Sequence, residues 1–254
     1  MTWARERQFI VFSVLGAIVV AFIAIIGIAT FYKSPTCTDG AKNQDETGVD
    51  CGGSCPYLCT ASEESPTVLF TKAIPSGVGR LDVVALVENK NTTAAAKHVP
   101  YTITVYGFGQ SLIQRVSGTL DLPPGASVPV FVPDIASGKQ VVETSFLAID
   151  DSSVKWYSLT SDPRLLPDVS DIVLAGSTSS PRVTATLANS GVAPMKNVRV
   201  ISIVRDVSGN TIGASATLIQ TIPALGKATA MFTWNAPFTG VPVSIQVLPI
   251  IPLP

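Results

Sequence analysis

The chain has 254 residues, with 17 Lys and Arg against 18 Asp and Glu, a formal net charge of −1. That balance leaves no basic surplus to meet a phosphate backbone, so nucleic acid is excluded as a partner. Charged residues are only 14 % of the chain and histidine occurs once, at His98, which rules out a multi-histidine metal centre. A Ser-His-Asp triad would have to use that same residue, which sits in a polar Lys97-His98-Val99-Pro100 turn and reads as a surface side chain.

In chain order, residues 1–8 form a short flank carrying Trp3, Arg5 and Arg7. From Phe9 to Phe31 no side chain is charged, and most are Ile, Val, Phe or Leu. At about 1.5 Å rise per residue, a helix over 9–32 is long enough to cross a ~30 Å hydrocarbon core. Positive charge on the short leading flank predicts a cytoplasmic N-terminus and an extracytoplasmic remainder, with Trp3 and Tyr32 as interfacial anchors and Lys33 beyond. A cleaved signal peptide is the rival reading. Its apolar core is usually about 7–15 residues, and no Ala-x-Ala site follows this run. Ser13, Ala17 and Ala21 recur every fourth residue, which would let two such helices approach. Small residues are common in such helices, and a homo-oligomer stays open.

Residues 33–60 hold all four cysteines, Cys37, Cys51, Cys55 and Cys59. A segment this short cannot bury enough apolar surface to fold alone, so covalent or metal cross-links must hold it. An oxidising compartment favours two disulfides, with three pairings open. Four-cysteine zinc competes, but zinc sites use close cysteine pairs at both ends and one cysteine here stands alone. Asp39, Asn43, Asp45, Glu46 and Asp50 place hard oxygen ligands on a glycine-rich loop that could hold Ca²⁺. Their spacing is not that of an EF-hand, and turn capping is the plainer reading. The run from Cys37 to Cys55 resembles a cysteine motif of secreted and surface proteins of bacteria, C-x-D-G-x-x-N-x-x-E-T-x-V-D-C-G-G-x-C. The resemblance implies an extracellular module and no particular activity.

After a polar stretch, Thr60 to Pro66, the sequence becomes strand-like and repeats. Leu81–Asn89 matches Pro181–Asn189, one hundred residues on. Leu122-Pro123 then answers Ile222-Pro223. One inserted residue sets Gly125 against Gly226, Phe131 against Phe232, and Val142 and Phe146 against Val243 and Val247. Such register predicts an internal repeat of about 100 residues. Val183, Ala185 and Leu187 alternate with Thr184 and Thr186, the period of a strand with one buried face. Tyr101, Ile103 and Val105 alternate likewise. Six or seven short strands per repeat, with no amphipathic helix between them, predict two antiparallel immunoglobulin-like β-sandwiches, 61–161 and 168–254, joined by a linker over 162–167. The fold class is therefore mainly β, with a single transmembrane helix and a disulfide-stapled knob.

Ala188-Asn189-Ser190-Gly191, Ile222-Pro223-Ala224-Leu225-Gly226 and Phe232-Thr233-Trp234 resemble the bacterial and archaeal CARDB module, an immunoglobulin-like domain linked by name to cell adhesion. The similarity covers roughly 168–250. In the first copy Val105-Tyr106-Gly107 stands where the related FxLYD-type module has Leu-Tyr-Asp. The resemblance implies spacer and interaction modules and supplies no catalytic residue.

Val154-Lys155-Trp156-Tyr157 is read as an added edge strand or contact surface, with Trp156 and Tyr157 packing against the neighbouring module. The tail Val241–Pro254 is too short and proline-rich for a second span; it should finish the last strand and end as an edge-blocking stub. Asn91-Thr92-Thr93 fits a glycosylation sequon. The function expected is that of a non-enzymatic, single-pass membrane protein presenting its modules to a protein or surface polymer. The alternative is a structural subunit of an envelope complex such as a pilus or secretion assembly. An enzyme working through a Ser/Lys or carboxylate pair is the third reading, but Asp150 and Asp151 look like turn residues.

Overall fold

A computed structural model describes residues 3–31, 36–43 and 45–254, which divide into two compact units, up to Cys55 and from Pro56 onward. Tyr32 and Lys33, expected to flank the membrane segment, lie outside the described residues.

In the first unit, helix α1 spans Trp3–Phe31. Among the described residues it alone is long and apolar enough to cross a membrane, over Arg7–Ile28, with mean hydropathy 3.1. Its Ile, Val and Phe side chains stand exposed around the whole helix rather than on one face. Such a helix lacks the amphipathic stripe that docks a helix on a soluble core. The knob follows. All four cysteines are disulfide-bonded, and Cys37 joins Cys55, with Cα atoms 5.6 Å apart. Of the pairings that the spacing left open, this bond selects Cys37 with Cys55. Gly52 and Gly53 are required by space as well as by φ (76° and 60°): a Cβ on the first would overlap the Thr47 side chain, and on the second the Asp45 backbone.

The second unit contains thirteen described strands: β1 (Thr67–Gly77), β2 (Arg80–Glu88), β3 (Ala94–Gly107), β4 (Leu112–Leu122), β5 (Ser127–Ala136), β6 (Val142–Ile149), β7 (Trp156–Ser158), β8 (Asp168–Ser177), β9 (Ser180–Ala188), β10 (Met195–Arg205), β11 (Thr211–Ile222), β12 (Lys227–Thr233) and β13 (Ser244–Ile250). They form four antiparallel sheets. Module 1 pairs β1-β2-β5 and, facing it, β4-β3-β6 with β7 added on β3; module 2 pairs β8-β9-β12 and β11-β10-β13. The two modules thus have the same strand order.

The pairings also correct the expected alignment. Ala85 faces Val130 and Ala185 faces Ala230, so no residue is inserted and Phe131 corresponds to Met231, not Phe232. Ile103 faces Leu147 and Ser202 faces Val247, so Leu147, not Phe146, answers Val247. The apparent match of two phenylalanines misled because Phe131 points away from its own core while Phe232 points into it.

Each module closes over its own aliphatic core. Val83, Ala85 and Val87 of β2 meet Ile103, Leu122 and Trp156 in the first; Val183, Ala185 and Leu187 of β9 meet Val198, Val200 and Phe232 in the second. The expected placement of Trp156 is corrected: it does form part of an added edge strand, but its ring is 1 % exposed inside module 1, not against the neighbouring module. Leu58 donates its backbone N–H to the Trp156 carbonyl, which begins this unit before the expected boundary at residue 61.

The two cores are joined by a third. Ile74, Val84 and Phe131 on the outer face of β1-β2-β5 pack against Ile201, Ile203 and Ala214 on the outer face of β11-β10-β13. Strands β2 and β10 are consequently buried on both faces. The unit is a four-layer stack of sheets rather than two sandwiches on a string.

Candidate functional site

The sequence singles out the knob carboxylates as candidate ligands. Asp50 accepts hydrogen bonds from the backbone N–H of Asp39 at 2.9 Å and of Gly40 at 3.0 Å. Asp39 accepts from Ala41 N at 3.0 Å and from the Asn43 amide at 2.9 Å. Glu46, only 6 % exposed, accepts from Asn43 N at 3.2 Å and Asp50 N at 3.3 Å. Asp45 accepts from the Ser54 hydroxyl at 2.8 Å. Of the five predicted oxygen ligands, the carboxylates of Asp39, Asp45, Glu46 and Asp50 face the loop's own N–H and O–H donors and Asn43 turns its amide to Asp39; among the described residues no three of these carboxylates converge on one point. In a loop without regular secondary structure these carboxylates satisfy backbone groups that a ladder would otherwise satisfy. Cys37, Glu46 and Cys55 also converge, yet the two sulfurs are joined to each other and offer no thiolate to a metal.

Two buried asparagines, which the sequence aligned but gave no role, form the second constellation. The Asn89 amide donates to the Ala94 and Pro123 carbonyls, each at 2.8 Å, and its Oδ1 accepts from Asn91 N at 3.0 Å. Asn189 repeats this with Ala193 O at 2.8 Å, Pro223 O at 3.0 Å and Gly191 N at 2.9 Å. Each stitches the β2–β3 or β9–β10 turn to the strand that follows two places later. Asparagine suits the position because it alone offers two donors and an acceptor from one short, neutral side chain. Asn91, the predicted sequon residue, spends its own amide on Glu64 O and Asn89 Oδ1.

The inter-module seam carries the remaining polar contacts. Arg199 of β10 donates to the Phe131 carbonyl at 2.8 Å, and the Arg205 guanidinium lies over the Phe70 ring. Tyr101 lies beside Arg199; burial raises its phenol above the ordinary range, while the nearby guanidinium opposes the shift. In the joint, Arg164 forms a two-pronged pair with Asp162 and donates to the Ile251 carbonyl at 2.9 Å. These hydrogen bonds, chiefly from the Arg164 side chain, hold the Asp162 carboxyl below its ordinary range. The tail after β13 reaches module 1: Leu253, itself buried, donates its N–H to Asp121 at 2.9 Å, and the Lys97 ammonium donates to the Pro254 carbonyl. His98 is exposed at a left-handed bulge (φ 52°) in β3, with its backbone N–H donated to Asp121. Asp150 caps the turn that follows it, accepting from the Ser152 backbone N–H at 3.1 Å and from the Ser152 hydroxyl at 2.6 Å.

A cleft of about 550 Å³ lies along module 1 between β1 and β6, lined by Lys72, Arg80, Lys139, Glu143, Ser145 and Phe146 among others. It is an open groove with both signs of charge. Arg80 is paired outside it with Asp134.

No family's sequence model matches this chain, and no curated protein is similar to it. Among solved structures it has distant likeness to red sea bream transglutaminase (13 % identity, TM-score 0.25, 74 % of this chain and 29 % of that one). A putative β-galactosidase from Bacteroides fragilis (13 %, 0.23, 70 % and 34 %) and a β-glucuronidase of glycoside hydrolase family 2 (10 %, 0.21, 87 % and 29 %) are similar to the same extent. The chain spans about a third or less of these proteins' length, and at such TM-scores the likeness assigns nothing to it.

Proposed function

We propose that this chain is a non-enzymatic protein held in the cell membrane by α1, N-terminus in the cytoplasm, that presents two immunoglobulin-like modules outside as one rigid interaction body. The observation that carries the reading is the shared apolar seam. Modules that merely space a ligand from a membrane need no common core, whereas Ile74, Val84, Phe131, Ile201 and Ile203 fix one module against the other. Burying these side chains stabilises that arrangement at about 25 cal/mol per Å² of apolar area. The uniformly apolar helix supports the membrane placement, and the disulfide-bonded cysteines support an oxidising compartment for the rest. The matching strand orders and the matching asparagine networks support duplication of one CARDB-like unit. The partner is a protein or surface polymer that the rigid body meets by contact.

The test uses the full chain in its membrane. After alkaline carbonate extraction it should stay in the pellet, and protease added to the extracytoplasmic side should reach the modules, with all four cysteines resistant to thiol alkylation. Release into the supernatant, or alkylation of the cysteines without prior reduction, would overturn the reading.

A further inference from the structure

Cations without an acidic partner line one continuous furrow. The cleft of about 550 Å³ runs beside β1 from Thr71 to Gly77, and a second of about 400 Å³ continues it from Leu69 to Lys72, where β1 meets the β10–β11 turn of module 2. Thr71 and Lys72 line both, so together they follow β1 over Leu69–Gly77, roughly 26 Å of strand. Four cations line this furrow, Lys72, Arg80, Lys139 and Arg205, against the one carboxylate of Glu143. Arg80 is taken by Asp134; among the described residues the other three cations form no ion pair. Three further clefts differ. One holds Arg164 and Arg199, but Asp162 and backbone carbonyls already engage both guanidinium groups. In the second Asp82 is the one charged side chain, and the third has none.

We infer that this furrow binds an acidic polysaccharide, laid along β1 and across both modules. A peptide strand is the rival occupant of a sheet edge, and β1 is ill suited to one. Pro75 has no N–H, the β1–β2 ladder shifts register at Val68/Phe70 and Pro75/Gly77, and Lys72 stands in mid-strand. Beside it the Leu147 N–H of β6 is already donated to Thr71 Oγ1 at 3.2 Å. Recognition therefore falls to side chains, and those present match a chain of sugar acids. Lys72, Lys139 and Arg205 suit carboxylates or sulfates spaced along a polymer, while Gln140, Ser145 and Asn210 suit its hydroxyls. Phe146, 56 % exposed and braced edge-on by Tyr106 with ring centroids 6.2 Å apart, offers a flat apolar surface to a sugar ring. Arg205 is held in place over the Phe70 ring. A cleft with an excess of one sign of charge concentrates ligands of the other. The inference rests on the contact-by-surface reading above and narrows its partner to a polymer. The two fail separately: a membrane-held chain that ignores acidic sugars sinks this one alone.

The full chain in micelles of an uncharged detergent is titrated calorimetrically with oligogalacturonate, with sulfated dextran, with neutral dextran of equal length, and with poly-glutamate. At least one of the two acidic sugars should bind, more weakly as salt rises, and the stronger of them names the acid group. Neutral dextran should not bind. Lys139→Gln, in an exposed loop, should weaken binding roughly threefold, and Lys72→Gln combined with it roughly tenfold, with thermal unfolding unchanged. Lys227→Gln removes an exposed cation of β12 outside the furrow and should bind as the wild type does. No binding of either acidic sugar, binding indifferent to the two furrow lysines, or neutral dextran or poly-glutamate bound as tightly as the acidic sugars would each overturn it.

Discussion

Replacing Asn189 by alanine removes one side chain that joins three parts of module 2. The Ala193 and Pro223 carbonyls lose their donor, and the Gly191 N–H loses its acceptor. At roughly 1–1.5 kcal/mol for each lost bond, and more because the stranded groups stay in a site 2 % exposed, the change should cost about 3–5 kcal/mol. Asn189→Asp makes a sharper test. One carboxylate oxygen can still accept from Gly191, but the other faces two carbonyls away from water. Its pKa must then lie above the unfolded value, so the variant is stabilised below that raised pKa and loses stability as pH rises through it. Denaturant unfolding of the full chain in micelles, followed by circular dichroism from pH 4 to 8, should show Asn189→Asp gaining stability as pH falls while Asn189→Ala stays flat. A cost under about 1 kcal/mol for Asn189→Ala, or no pH dependence for Asn189→Asp, would refute the proposed role of the asparagine as a three-bond staple.

Ser202 is fully buried in β10, and among the described residues its hydroxyl has no partner; Ser202→Ala should raise stability by about 1–2 kcal/mol in the same assay. In the knob, Gly52→Ala should prevent the native Cys37–Cys55 bond from forming in good yield, read by peptide mapping, whereas Gly40→Ala, with the same sign of φ but open space around it, should leave the bond intact. The Asp162–Arg164 pair lowers the folded pKa of the carboxyl, so its contribution is present above the ordinary value of 3.8 and lost as pH falls below it. Limited proteolysis of the joint should accelerate in that acidic window, and Asp162→Asn should be fast at every pH.

Much of this architecture was legible as periodicity. The alternation of Val183, Ala185 and Leu187 with threonines marks β9 as one-sided, and it is. The same template applied to β2 hides the seam. Val83-Val84-Ala85-Leu86-Val87 is an unbroken apolar run, the signature of a strand buried on both faces, while Thr184 and Thr186 fill the matching places in β9. The contrast was on the page of the sequence, but which surface would cover Val84 and Leu86 depends on contacts more than a hundred residues away. The cysteine pairing was unreadable for a related reason: spacing limits the possibilities and only the loop's path selects one. Trp156 was misplaced because an aromatic beside a joint looks equally suited to either module, and the strand pairing of β7 with β3 decides which. The acidic residues of the knob show a further limit. Oxygen side chains on a glycine-rich loop have the same composition whether they face an ion or the loop's own N–H groups.

The seam is tested most directly by the distance between the modules. Nitroxide labels introduced through Phe108→Cys and Val192→Cys occupy exposed turns of modules 1 and 2. Double electron–electron resonance on the full chain in micelles should give a single narrow distance distribution, which Val84→Asp with Ile203→Asp should broaden. A broad or multi-peaked distribution in the unaltered seam would contradict one rigid four-layer body.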